Sequence, residues 1–216
     1  MSVASDRPPP PRASTEVPSG EITPVSSVRR QGEIRSRQFL VHRRFAEQRF
    51  GLEGLGVPPE LLSTELPEWV PCGWVTTLVE ALFDGPMGRD PEALHRHAEA
   101  IMDEGFVRDR AALFEVATLS MMLRHAGPLW RDELSSGRLV GFSTETEGTL
   151  VLHDHPWTES AAMRALLGRA IQHGLAKLRP GTTVSFDPEP QKTLVMTISF
   201  VAPGPSPSGP PLRARF

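Results

Sequence analysis

His153 and His155 stand two residues apart in "LVLHDHPW" (Leu150 to Trp157), with Asp154 between them. On an extended strand, side chains at that spacing project from one face. Two neutral imidazoles so placed can ligate zinc, copper or iron, but a stable centre needs a third and usually a fourth ligand. Spacing identifies none, so His153 and His155 are weak metal candidates, and a metal-dependent enzyme built on them is the least favoured reading. His95 and His97 repeat the spacing within a helical pattern, where two residues subtend about 200° and point apart. They are expected at the surface or its boundary.

Cys72 is the only cysteine, beside Pro71 and near Trp74 with no matched histidine. It reads as a small buried hydrophobe. Asp132, Glu133, Glu145 and Glu147 fall near helix ends and a hairpin, where acids are usually solvated. No nucleophile elbow, phosphate loop, dinucleotide fingerprint or His-Glu-x-x-His helix occurs, so no catalytic residue is assigned. Trp69, Trp74, Trp130 and Trp157 default to core packing but can line an apolar pocket for an aromatic or lipid-like ligand. Trp130, in "GPLWRDE", lies where a helical half meets a sheet. With Trp74 and His125 it forms the candidate ligand-binding set, although His125 near a helix C-terminus also suits the dipole there.

The elements that must position these residues are legible from composition and period. Of 216 residues 22 are proline, concentrated towards the ends. "MSVASDRPPPPRASTEVPSGEITPVSS" and "APGPSPSGPPLRARF" lack apolar period and read as disordered, proline-rich arms, assigned to residues 1–30 and 203–216. Residues 31–202 are the size of one domain able to bury a core without disulfides or a structural metal. The net charge of −3 argues against a nucleic-acid surface. The arginine-rich stretch from Arg29 to Arg49 reads as a solvated helix face. With no apolar span and no signal-like start, a soluble cytoplasmic protein is expected.

"SRQFLVHRRFAEQRFG" reads as a helix with Leu40, Val41, Phe45, Ala46 and Phe50 inward. "GWVTTLVEALF" is a second. "RDPEALHRHAEAIMDEG" is a third, capped by Asp90 with Pro91 at its first position and ended by Gly105. Asp109 is expected to cap "RAALFEVATLSMMLRHA", which Gly127 and Pro128 stop. The period then alternates: "RLVGFSTETEGTLVLHDH" reads as a hairpin around Glu147 and Gly148. "TESAAMRALLGRAIQHGLAKL" follows as a long helix capped by Thr158, and "TTVSFDPEPQKTLVMTISFV" supplies two more strands. The expected fold is α+β, a helical N-terminal half packed on a four-stranded antiparallel sheet in the order β-β-α-β-β.

The runs "EWVPCGWVTTLVEALFDGPMGRDPEALHRHAEAIMDEG", "GPLWRDELSSGRLVGF" and "HPWTESAAMRALLGRAIQHGLAKLRPGTTVSF" are similar to a group of bacterial proteins of about this size, without assigned activity and abundant as paralogues in myxobacteria. Their pattern resembles the fold of haem-nitric-oxide-binding domains, the vinyl-reductase-type sensor domain and TRAPP-type tethering subunits. The resemblance spans roughly Arg35 to Val201. It implies a non-enzymatic sensory or regulatory module that binds a small apolar ligand or a partner protein. The alternative is a dimeric interaction subunit without a ligand, with the proline-rich arms as partner peptides. Haem-binding members use a Tyr-x-Ser-x-Arg motif, and this chain has no tyrosine, so haem is disfavoured. Vinyl-reductase-type sensors commonly carry zinc-binding cysteines near the last hairpin; "FDPEPQKTLVMTISF" has none, so structural zinc is disfavoured too. No cofactor is expected.

Overall fold

Alternation carries the C-terminal half into strands. In the computed structural model, which describes residues 32–144 and 146–200, Arg138–Ser143 (β3) and Glu147–His153 (β4) form one hairpin. Thr183–Phe186 (β5) and Thr193–Ser199 (β6) form another. The hairpins join through β4 and β6 into a four-stranded antiparallel sheet of order β3-β4-β6-β5. The expected α+β architecture is the one observed. The proline-rich arms expected at residues 1–30 and 203–216 lie outside the described residues.

On one face of the sheet Leu150, Leu152, Leu194, Met196 and Ile198 are buried. The other face carries Val140, Val151 and Val195 in one cross-strand row, with Phe142 61% and Val195 48% exposed. The first hairpin turns earlier than expected: Ser143 pairs with Gly148, so Glu147 and Gly148 belong to β4.

Helix Ala161–Leu178 (α7) crosses from one hairpin to the other and buries Met163, Leu166, Ala170 and Leu175. Its cap is Ser160, whose hydroxyl accepts from the Met163 amide at 3.4 Å, while Thr158, expected as the cap, is buried in a short 3-10 turn. Arg164 lies on the buried side, 1% exposed. Its guanidinium donates to the carbonyls of Asp187 (2.7 and 3.0 Å), Thr193 (3.0 Å), Thr158 (3.2 Å) and Gln191 (3.4 Å). Helical period alone does not reveal a cation that caps loop carbonyls from within a core stripe.

The front half begins with an unexpected two-stranded ribbon, Glu33–Arg35 (β1) against Trp69–Pro71 (β2). Ser36–Phe50 (α1) buries Phe39, Val41, His42, Phe45 and Ala46. Leu40 and Phe50, expected inside, are exposed, because the buried stripe is rotated towards the 38/42 side. Cys72–Asp84 (α2) follows. Pro91–Ile101 (α3) is capped as expected, with the Asp90 carboxylate accepting from the amides of Glu92 and Ala93. It does not end at Gly105 but runs into a π-helical turn, Met102–Val107.

The single helix expected after Asp109, over 110–126, is broken into Ala111–Val116 (α4) and Leu119–Arg124 (α5), and a further helix, Ala126–Glu133 (α6), follows it. Asp109, expected as its cap, makes no cap bond, since α4 starts after Arg110 without a side-chain cap; extended backbone at Ala117 and Thr118 then interrupts the run, and the Thr118 hydroxyl caps α5. Gly127 and Pro128 start α6 instead of stopping a helix, since proline is tolerated in a first turn where its missing N–H is not needed.

Candidate functional site

Asp154 decides the geometry of the histidine pair. Its φ of +53° places it in the left-handed region, which Asp tolerates better than most residues. Strand alternation therefore ends at His153. His153 stays at the sheet, half-buried, with Nδ1 3.5 Å from Thr193 Oγ1, whereas His155 is turned inward and is 2% exposed. The two do not share a face. Among the described residues no group of three or more His, Cys, Asp or Glu is placed to hold a metal ion.

His155 is instead a core residue. Its Nδ1 accepts from the Trp157 amide at 3.2 Å, and its Nε2 lies 3.7 Å from Cys72 Sγ. Trp130 and Trp157 pack edge-on against its ring, with centroids 5.2 and 4.8 Å away. Burial pushes His155 down to about 3. Burial, aided by the Glu33 charge, pushes the Cys72 thiol up to about 12. A neutral imidazole beside a protonated thiol is a packed pair, not an activated nucleophile. Cys72 has the histidine partner that its sequence neighbourhood lacks.

Above this cluster, between the helices and the buried sheet face, lies a cavity of about 190 Å³. Its walls come from α1, the π-helical turn, α4 to α7 and strands β3 and β4. Phe106, Met122, Trp130, Leu150, Leu166 and Ile171 illustrate its apolar character. The indole N–H groups of Trp130 and Trp157, which also line it, are taken by the carbonyls of Ser136 (2.9 Å) and Cys72 (3.4 Å). The polar side chains on its wall are Gln38, His42 and Glu133.

Gln38 and His42 are one turn apart on α1, so they share a face. His42 Nδ1 is 3.2 Å from His97 Nε2, and His97 stacks on Phe45 with centroids 4.4 Å apart. His97, expected at the surface or boundary, is fully buried. Burial lowers His42 to about 4, and burial together with the neighbouring His42 holds His97 well below the usual range. Glu133, expected among solvated acids, is 3% exposed and binds both Arg37 and Arg110. Burial opposes its ionisation, but hydrogen bonds from those two guanidiniums prevail and hold its carboxyl below the ordinary range.

Of the three ligand candidates read from sequence, Trp130 lines the cavity. Trp74 sits on α2, half-buried, edge-on to Phe39 at 5.7 Å. His125 is exposed at the α5–α6 junction, although its neighbours Leu123 and Ala126 reach the cavity. Gln38 and His42 were missed. The available signal was that His42 falls among Phe39, Val41, Phe45 and Ala46, so an apolar stripe at helical spacing contains one imidazole.

Solved structures share this arrangement of helices over a β-β-α-β-β sheet. An Fe(II) unliganded H-NOX protein from K. algicida matches with a TM-score of 0.58 at 12% identity, over 79% of this chain and 98% of that one. A mutant H-NOX protein of T. Tengcongensis gives 0.54 at 14% identity, over 76% and 96%. The fold is that of the H-NOX domains. A third match, described as modulating haem redox potential through protein-induced porphyrin distortion, gives 0.52 at 13% identity, over 74% and 96%. Identities this low establish the H-NOX fold and nothing narrower. No protein-family model and no curated protein matches the chain.

The H-NOX likeness corrects one expectation. Haem was disfavoured because the chain lacks tyrosine, yet the structures sharing its fold include H-NOX proteins and one concerned with haem itself. Among the described residues, no helix is long and apolar enough to cross a membrane.

Proposed function

We propose that the protein is a sensory or regulatory module that works by holding a largely apolar ligand in the cavity between its helices and its sheet. One observation carries this reading. A cavity of about 190 Å³ lies between the helices and the sheet, and its walls are apolar except for Gln38, His42 and Glu133. Native interiors rarely keep such a void without use, because each void forfeits packing energy. The perturbed titratable groups nearby, His42, His97 and His155, are held neutral by burial, which is the chemistry of a binding pocket and not of acid-base turnover.

Haem is the group that the fold implies, and the wall fits it in kind. His42 presents an imidazole whose Nδ1 is engaged by His97, the support that metal-bound histidines usually have. Phe106, Phe114 and Trp130 offer aromatic walls. Haem, when bound, supplies an iron centre for a diatomic gas; the chain's own part is to orient it and exclude water. The cavity is smaller than the roughly 300–1,000 Å³ of typical small-molecule sites, so a porphyrin requires the helices to move away from the sheet.

Haemin titration of the purified protein, followed by its absorption band, and thermal unfolding with added apolar ligands test the reading together. A one-to-one haemin complex weakened in His42→Leu, or a ligand-dependent rise in Tm by mass action, is expected. If haemin gives no complex and no apolar compound raises Tm, the reading fails.

A further inference from the structure

Gln38 and His42 mark a polar corner in an otherwise apolar cavity, and both have hydrogen-bonding capacity left over. Gln38 Nε2 is buried without a partner, its amide lodged against Gly105, where a Cβ would stand 2.5 Å from Oε1. Gly105 belongs to the π-helical turn, a distortion found frequently at functional sites. A buried donor left unmade costs about 1–3 kcal/mol, and the terminal amide torsion is soft, so the nitrogen is free to turn to a ligand atom.

His42 adds the second group. Its Nδ1 faces His97 Nε2, which leaves Nε2 for the cavity. His97 Nδ1 has no partner, so the neutral pair can carry the shared proton either way. His42 Nε2 can therefore donate to a carbonyl or accept from a hydroxyl.

The charge around this corner is already balanced. Arg37 and Arg110 both bind Glu133, and Arg37 also lies 3.6 Å from Asp109. Arg110 Nη1 remains a spare donor, but the guanidinium charge is committed. A buried ligand carboxylate would lack a free counter-ion, and an unpaired buried charge is strongly disfavoured. Size adds a bound: an apolar cavity of about 150 Å³ takes benzene, so about 190 Å³ suits roughly eight to ten non-hydrogen atoms.

We propose that the cavity recognises a small, neutral, mainly apolar molecule with a single carbonyl or hydroxyl oxygen, held at Gln38 and His42. This rests on the cavity being a ligand site, and it names the ligand's chemistry.

The test is calorimetric or tryptophan-fluorescence binding of four probes of similar size to the full chain: propiophenone, butylbenzene, 3-phenylpropanoate and 3-phenylpropylammonium. Propiophenone is expected to bind about tenfold or more tighter than either ion. In Gln38→Leu, the ratio of propiophenone to butylbenzene affinity is expected to fall roughly fivefold to tenfold, the worth of one hydrogen bond, with His42→Phe as a second variant. The wild-type probe series still decides if a variant does not fold. The proposal is overturned if 3-phenylpropanoate binds as tightly as propiophenone, if the ratio is unchanged in folded variants, or if haemin occupies the cavity and excludes propiophenone. Butylbenzene binding without selectivity sinks this inference alone. Absence of binding by every probe and by haemin sinks the sensory reading with it.

Discussion

The imidazole of His155 and the thiol of Cys72, 83 positions apart in sequence, meet in the core at 3.7 Å from Nε2 to Sγ. Burial keeps both neutral; the His155 Nδ1 lone pair is taken by the Trp157 amide, which leaves an N–H on Nε2 to face the sulfur. The contact ties the start of α2 to the end of β4 beneath the cavity.

Three buried histidines make stability pH-dependent. In the unfolded chain they take up protons as the pH falls through about 6.5. In the folded chain His42 resists to about 4, His155 to about 3, and His97 well below its ordinary value. The folded pKa values are depressed, so the stabilisation is complete above pH about 6.5 and is lost progressively as the pH falls towards about 4. Urea unfolding at pH 5.5 is expected to show about 2–4 kcal/mol less stability than at pH 7. Equal midpoints at the two pH values would contradict the burial of these rings.

Gly137 has φ +73° and supports His155 directly: an added Cβ would lie 2.8 Å from His155 Cβ and 3.1 Å from the His153 carbonyl. Gly54 has φ +84° with nothing nearby. Gly54→Ala is expected to cost about 1–2 kcal/mol from backbone conformation alone. Gly137→Ala should cost distinctly more, about 3 kcal/mol, since contact with the ring is added to the same strain. Denaturant midpoints of the two variants measure the difference.

Arg164 holds the Thr158 carbonyl, which follows the first hairpin, and those of Asp187 and Thr193, in the β5–β6 connection and at the start of β6. Arg164→Leu removes the two donors on the Asp187 carbonyl and leaves Thr158 only its bond from the Gln191 amide, and is expected to destabilise by about 3 kcal/mol or more. Arg164→Lys should recover little, because an ammonium cannot reproduce the planar fork. Full rescue by lysine in chemical denaturation would show that charge alone matters.

Ala170 lies on α7 at the cavity wall. Ala170→Leu places apolar volume in the void, so Tm is expected to hold or rise while propiophenone affinity falls about tenfold or more. Unchanged affinity in the folded variant would move the ligand out of this cavity.

Alternation from Leu139 to Phe142 and from Leu194 to Phe200, with one long apolar helical pattern between the hairpins, was enough to specify the α+β sheet. Each of those signals is local and repeats over several residues. The Asp90-Pro91 start of α3 was equally plain, because a cap is a contact between residues two or three apart. The front half was less legible. The π-helical turn Met102–Val107 and the break at Ala117–Thr118 interrupt what reads as continuous helix, and no period records either.

The site depended on tertiary structure almost entirely. "LVLHDHPW" placed two histidines on one strand by its own logic, but one left-handed residue, Asp154, sent His155 to Cys72 and left His153 at the sheet. Glu133 looked solvated until Arg37 and Arg110, 96 and 23 positions away, enclosed it. Local sequence determined which segments became helix and strand, since hydrogen-bonded period and caps act over a few residues. The folded chain alone decided which polar groups went inside, because their burial is stabilised by partners remote in sequence and by the space left at Gln38 and His42.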